Sequence, residues 1–185
     1  GTTVTTKDRS FAKLLFTDNT QMNLGPNSSM KIEKYKAHEP GMIQLIDGKI
    51  RAKVEKDLIS KQKSNDDSKL ILHTKTAAMG VRGTDFQITY SSKTDATSLV
   101  TFESQVALVK FDARAASPEA RTVGAMAEKM NQALKSDQAV LVGAGQFSAA
   151  AKGGDASPPV RISPEQPETL RKNETFQAPA AETGA

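Results

Sequence analysis

Residues 74–90 read Thr-Lys-Thr-Ala-Ala-Met-Gly-Val-Arg-Gly-Thr-Asp-Phe-Gln-Ile-Thr-Tyr, and this stretch decides the fold class. Its second half alternates: Phe86, Ile88 and Tyr90 share one face, while Asp85, Gln87 and Thr89 share the other. Aromatic and β-branched residues at period two specify a half-buried strand. The strand is entered through Gly80-Val81-Arg82-Gly83-Thr84, whose two glycines permit backbone angles closed to residues with a Cβ. Arg82 stands between them, near Asp85, and is read as half of a structural ion pair beneath a tight turn. Gly80, Val81, Arg82, Gly83, Thr84 and Phe86 therefore form a structural motif.

Strand signals recur on both sides of this motif. A short strand around residues 4–6 comes first. Ala12, Leu14 and Phe16 then alternate with Lys13 and Leu15 up to the turn Asp18-Asn19-Thr20, where Asn19 is the residue suited to a left-handed conformation. Residues 21–24 pair back as a hairpin, Gly25-Pro26-Asn27-Ser28 breaks it, and Met30 and Ile32 begin another strand. After a turn at His38-Glu39-Pro40-Gly41, two apolar runs flank Asp47-Gly48, which reads as the strongest local hairpin in the chain. Residues 56–68 are polar and lysine-rich, a loop. Beyond the central motif, Val100 and Phe102 lead to a turn at Glu103-Ser104-Gln105 and a strand over 106–111. The pattern predicts about ten short strands with turn signals roughly every 8 to 12 residues, hence an all-β sandwich, barrel or short solenoid.

At Asp112 the character changes. Ser117-Pro118-Glu119 is a helix start, with a Ser cap, Pro at the first position and an acid in the first turn. Val123, Met126, Ala127, Met130 and Leu134 follow as one apolar stripe, which docks either on the β-domain or on a partner. A returning strand spans 139–148. From Ala149 the chain is Ala-, Pro- and Gly-rich, an extended tail ordered only where Val160, Ile162, Leu170 or Phe176 finds a groove. The expected organisation is a β-domain over 1–148 (core 1–112, helix about 118–135) and a tail over 149–185.

Composition bounds the function. Hydrophobic residues at 37% and a mean hydropathy of −0.45 place part of the 185-residue chain outside a core. The absence of cysteine excludes disulfides, thiolate metal sites and a cysteine nucleophile. No apolar run approaches the roughly 18 residues of a membrane span, and no leader precedes the first strand, so any signal or anchor is expected to lie outside this chain. Residues 1–112 hold 17 Lys+Arg against 13 Asp+Glu, whereas 113–185 hold 8 of each. The densest basic stretch, Lys49, Arg51, Lys53, Lys56, Lys61 and Lys63, has no interleaved aromatics. It therefore reads as a solvated face rather than a nucleic-acid site.

Enzyme signatures fail one by one. Gly143-x-Gly145 is followed by Ser148 where a dinucleotide fingerprint needs glycine, and neither a P-loop nor a Gly-x-Ser-x-Gly elbow occurs. His38 and His73 are isolated and read as ordinary hydrogen-bonded imidazoles; no zinc spacing is present. Asp66-Asp67 lacks the order of a calcium loop. Asn27-Ser28-Ser29 and Asn173-Glu174-Thr175 match the glycosylation sequon, a pattern short enough to arise by chance. The reading is a non-enzyme with no cofactor and no metal.

The segment Thr76-Ala77-Ala78-Met79-Gly80-Val81-Arg82-Gly83-Thr84-Asp85-Phe86 resembles the T-x-x-A-x-x-V-R-G-T-x-F core of FecR-type domains. Further landmarks stand in order: Thr5-Thr6, the run from Ser10 to Thr20, Leu24 to Ser28, Leu45 to Arg51, and Phe102 to Val109. The resemblance covers roughly residues 2–112, with an echo at 140–147. Asn19 and Ser104 occupy positions where the family tends to carry glycine.

The resemblance implies a small all-β fold, part solenoid and part antiparallel sheet; joined to the residue pattern, the expectation is a FecR-like β-sandwich or short β-solenoid of about ten short strands, with one C-terminal amphipathic helix and an extended tail. It also implies a periplasmic signalling or ligand-sensing role. Family members contact a TonB-dependent outer-membrane receptor and control an extracytoplasmic sigma factor, and the domain also occurs in secreted proteins without that partner. The reading is thus an extracytoplasmic module, periplasmic or secreted in a Gram-negative bacterium, that binds a protein or envelope polymer. The sensor part of a transmembrane anti-sigma regulator of iron uptake is the alternative. Lys61, Lys63, Asp66 and Asp67, on the polar loop, are the candidate partner contacts. Pairing of edge strands between copies is a third reading, opposed by Lys13, Lys31 and Lys53 on those strands. A monomer is expected.

Overall fold

A computed structural model describes residues 1–36, 39–55, 68–112, 122–163 and 165–166. The strands are β1 (Thr2–Thr5), β2 (Ala12–Leu15), β3 (Gln21–Leu24), β4 (Ser29–Lys34), β5 (Gly41–Lys53), β6 (Leu70–His73), β7 (Ala77–Val81), β8 (Asp85–Ser91), β9 (Ala96–Glu103) and β10 (Gln105–Lys110). After the helix α1 (Val123–Leu134) come β11 (Val140–Gly143), β12 (Gln146–Ala151) and β13 (Val160–Arg161). The fold is all-β; among the described residues one full helix accompanies thirteen strands, which form one curled sheet.

The curl is made by β5. Its first half pairs with β4 and β6, its second half with β3 and β8, so one strand belongs to two layers. The first layer runs β1-β4-β5-β6-β7-β10-β11 and the second β2-β3-β5-β8-β9-β12-β13. Every pair is antiparallel except β5–β6. The inner faces share one core: Met30, Ile43, Leu45, Leu72 and Met79 from the first layer meet Met22, Ile50, Phe86, Ile88, Tyr90 and Leu99 from the second.

Asp47-Gly48 does not make the expected hairpin. The strand passes straight through it, because Gly48 (φ +95°) bends the chain from one layer into the other. A dipeptide that supplies positive φ can close a two-residue turn or break the line of one long strand, and local sequence does not distinguish the two. Tertiary contacts decide. A Cβ on Gly48 would stand 2.6 Å from the Ser28 Cα, while Ser28 Oγ accepts the Lys49 N–H at 3.0 Å and Asp47 Oδ1 accepts the Ser92 N–H at 2.7 Å.

Such crossings form two stacks. Beside Gly48, the β1–β2 and β3–β4 connections also cross between layers, with Arg9 and Asn27 at φ +50°. Thr6 Oγ1 stitches them, donating to the Gly25 carbonyl at 2.5 Å and accepting from the Ser28 N–H at 3.0 Å. At the far end of β8 lie the β7–β8, β9–β10 and β11–β12 crossings, with Gly83, Ser104 and Gly145 at φ +69°, +61° and +72°. Asn19 also takes the expected left-handed form, at φ +63°.

The helix stripe docks in cis. Met130 and Leu134 pack with Met42, Ile71, Ala78 and Val109 on the outward face of the first layer. The helix is described from Val123, with Thr122 Oγ1 accepting the Ala125 N–H; the start expected at Ser117-Pro118-Glu119 lies outside the described residues. Two further departures follow from pairing that sequence pattern does not reveal: β12 continues to Ala151, and Val160–Arg161 adds a strand to it where only tail was expected. Among the described residues no helix is long and apolar enough to cross a membrane.

Candidate interaction site

The central motif is a layer-crossing corner. Phe86 is fully buried, Thr84 is buried, and Val81 ends β7 inside the core. Only one of its glycines serves φ. Gly83 is left-handed, whereas Gly80 lies in β7 because a Cβ there would press on the Ser68 Oγ and stand 3.1 Å from the Leu134 Cδ1. The sequence pattern identified both glycines but assigned them one reason where there are two.

The ion pair at the corner also differs from the expected one. Asp85 accepts two hydrogen bonds from Arg51, Nε at 3.0 Å and Nη2 at 2.8 Å, and Phe102 lies under that guanidinium at 4.4 Å. Arg82 is exposed. The reason is register: β5 and β8 pair Lys53 with Asp85 and Arg51 with Gln87, so a long side chain one step along the same face reaches Asp85. Sequence proximity favoured Arg82, but strand pairing brings Arg51 there from 34 residues away.

Two polar knots have no signal in local sequence beyond a short turn motif. Asp18 accepts from the Thr20 N–H and hydroxyl and from the Tyr35 hydroxyl, each at 3.0 Å, and pairs with Lys69 at 3.1 Å. Burial pushes its carboxyl pKa up, but the Thr20, Lys69 and Tyr35 hydrogen bonds outweigh burial and hold it below the usual value. Glu33 lies 2.9 Å from Nε2 of buried His73; there too burial opposes ionisation, but the hydrogen bond from His73 and the positive charges of His73, Lys31 and the N-terminus near the carboxyl lower it overall. His73 is thus a hydrogen-bonded structural imidazole. His38 and the candidate contacts Lys61, Lys63, Asp66 and Asp67 lie outside the described residues.

Among the described residues the edges are β1 and β11 in the first layer, β2 and β13 in the second. Lys13 does sit on an edge, whereas Lys31 and Lys53 lie on interior strands, β4 and β5. On β2, Ala12 and Leu14 pack toward the core while Phe11 and Leu15, flanking Lys13, are 46% and 68% exposed. A second feature is a shallow cavity of about 330 Å³ between the end of α1 and β11, lined by Leu134, Ala139, Leu141 and Lys135 among others. Among the described residues no group of three His, Asp or Glu side chains could hold a metal ion.

A curled two-layer β-sheet with layer-crossing corners and a helix docked on one layer defines a small all-β domain. The sequence matches the family described as FecR protein over residues 2–107, and the chain belongs to that family. No curated protein matches the sequence. The fold is similar to two crystal structures of a "putative anti-sigma factor" from Parabacteroides distasonis, each with a TM-score of 0.61 and 11% identity. The likeness covers 92% of this chain and 64% of each of those chains, so this chain spans less than two thirds of their length. FecR membership supports a signalling or regulatory role, in a family that is regulatory rather than known for enzymes.

Proposed function

We propose that this chain is a non-enzymatic signalling module that works outside the cytoplasm by binding a protein partner. The observation that carries the reading is β2, an edge strand among the described residues, where Leu15 is 68% exposed while Ala12 and Leu14 pack toward the core. Exposed apolar groups beside a strand edge are features of recognition surfaces. FecR-type domains are typically periplasmic, which supports the location. A second reading, the sensing part of an anti-sigma regulator answering a TonB-dependent receptor, is favoured by the name of the structurally similar protein and by its greater length.

The mass and cell fraction of the natural gene's product test the reading. A product exported to the periplasm, soluble or membrane-anchored, supports it, and the anchored form with a cytoplasmic segment selects the anti-sigma role. A product confined to the cytoplasm contradicts both.

A further inference from the structure

We propose that the outward face of the second layer, over β2, β3 and the second half of β5, docks an acidic protein surface that sets an apolar side chain among carboxylates. The proposal deepens the protein-binding reading and rests on it. Strand alternation defines the face: the core takes Leu14, Met22, Ile50 and Ala52, so the residues between them turn outward. Those outward positions include Lys13, Lys49, Arg51 and Lys53, and no acid. Arg51 is matched by both oxygens of Asp85 on β8, and Lys49 is half-buried. Lys13 and Lys53 are exposed, and Leu15 near them is 68% exposed. Register fixes their spacing. Lys13 shares a row with Asn23 and Arg51, and Leu15 shares the next row with Gln21 and Lys53. Two strand spacings and one two-residue step separate the lysines, about 12 Å between Cα atoms, with Leu15 at the third corner of the triangle.

Charge selects the occupant. Asp85 lies directly across from Lys53 but gives its oxygens to Arg51, and Glu103 stands opposite Asp85 on β9. An approaching carboxylate is therefore attracted over β2, β3 and β5 and repelled beyond β8. A second copy of this chain fits badly, because face on face it would set lysine against lysine. The outward positions of these three strands hold no aromatic ring on which a sugar or base could stack. One exposed leucine also gives a bilayer little apolar area. An apolar anchor beside charges that select the partner and speed its approach is instead the pattern of a protein-recognition surface.

The probes are the peptide acetyl-Glu-Glu-Leu-Leu-Glu-Glu-amide and its counterpart with Lys in place of every Glu, titrated into the whole chain by NMR. The expected result is amide shifts centred on residues 13–15, 21–23 and 51–53 for the Glu peptide alone, fading as salt rises from about 0.05 to about 0.5 M. The double substitution Lys13→Glu and Lys53→Glu, on exposed side chains, should weaken that binding about tenfold. Lys152→Glu, at an exposed lysine beyond the end of β12, should leave it unchanged. Equal binding of the two peptides, shifts that map elsewhere, or an equal loss in Lys152→Glu would overturn the proposal. Phosphatidylglycerol vesicles supply the competing anionic surface. If they bind and the Glu peptide does not, and the double substitution abolishes vesicle binding, the occupant is a lipid surface and the acidic protein is overturned. If an identified envelope partner binds the double variant as tightly as the unsubstituted chain, the face assignment fails while the protein-binding reading stands. If no envelope protein binds either, the reading itself fails.

Discussion

At the scale of single residues, this fold depends on positions where a backbone or a charge has no substitute. Gly48 combines a positive φ with a Cβ direction already filled by Ser28. Gly48→Ala should therefore cost more than the roughly 1–2 kcal/mol of a left-handed alanine, and urea unfolding should show a loss of about 3 kcal/mol. Arg51 and Asp85 form a bidentate pair with side chains only 15% and 10% exposed. Removing either partner strands the other, so Arg51→Met or Asp85→Asn should each cost about 3 kcal/mol, and the double substitution less than their sum. Additive losses in a double-mutant cycle would show that the pair is not coupled.

Asp18 and Glu33 give a pH dependence of definite sign. Both carboxyls are held below their ordinary values in the folded protein, so each contributes stability at neutral pH. That contribution is present above the unfolded carboxylate range of about 4 and is lost as the pH falls through the folded values. The urea midpoint should drop on acidification below about pH 5, and less steeply in Glu33→Gln, which lacks the titrating group. An identical acid profile in that variant would remove Glu33 from the explanation.

At the scale of elements, β5 and α1 show what sequence can and cannot say. The alternation in residues 86–90, the left-handed Asn19 and the stripe Met126–Met130–Leu134 were legible because each depends on local period or local φ. The path of β5 was not, because a hairpin and a layer crossing use the same Asp-Gly, and only Ser28, some twenty residues away, distinguishes them. The Arg51–Asp85 and Glu33–His73 pairs were hidden for the same reason: strand register, not sequence distance, brings them together. The helix is held by its stripe, and Met130 is fully buried against the first layer. Met130→Ala should cost about 2–5 kcal/mol and increase amide exchange along α1 before the strands respond. Equal exchange across helix and strands would mean that α1 opens only with the whole domain.

At the scale of the molecule, two layers share one core through a single strand, and the helix caps only one of them. On the second layer's β2, an edge among the described residues, Leu15 is 68% exposed. The sequence placed Lys13, Lys31 and Lys53 alike on edge strands, and among the described residues only Lys13 lies on one, since edges are a property of topology rather than of local pattern. The measurement that tests the account most directly is photocross-linking in the native host, with a benzophenone amino acid in place of Leu15 and mass spectrometry of the product. A single discrete adduct with an envelope or outer-membrane protein, lost when the reporter is moved to Leu141 on β11 of the first layer, is the predicted result. Adducts only with cytoplasmic proteins, or the same adduct from both positions, would contradict it.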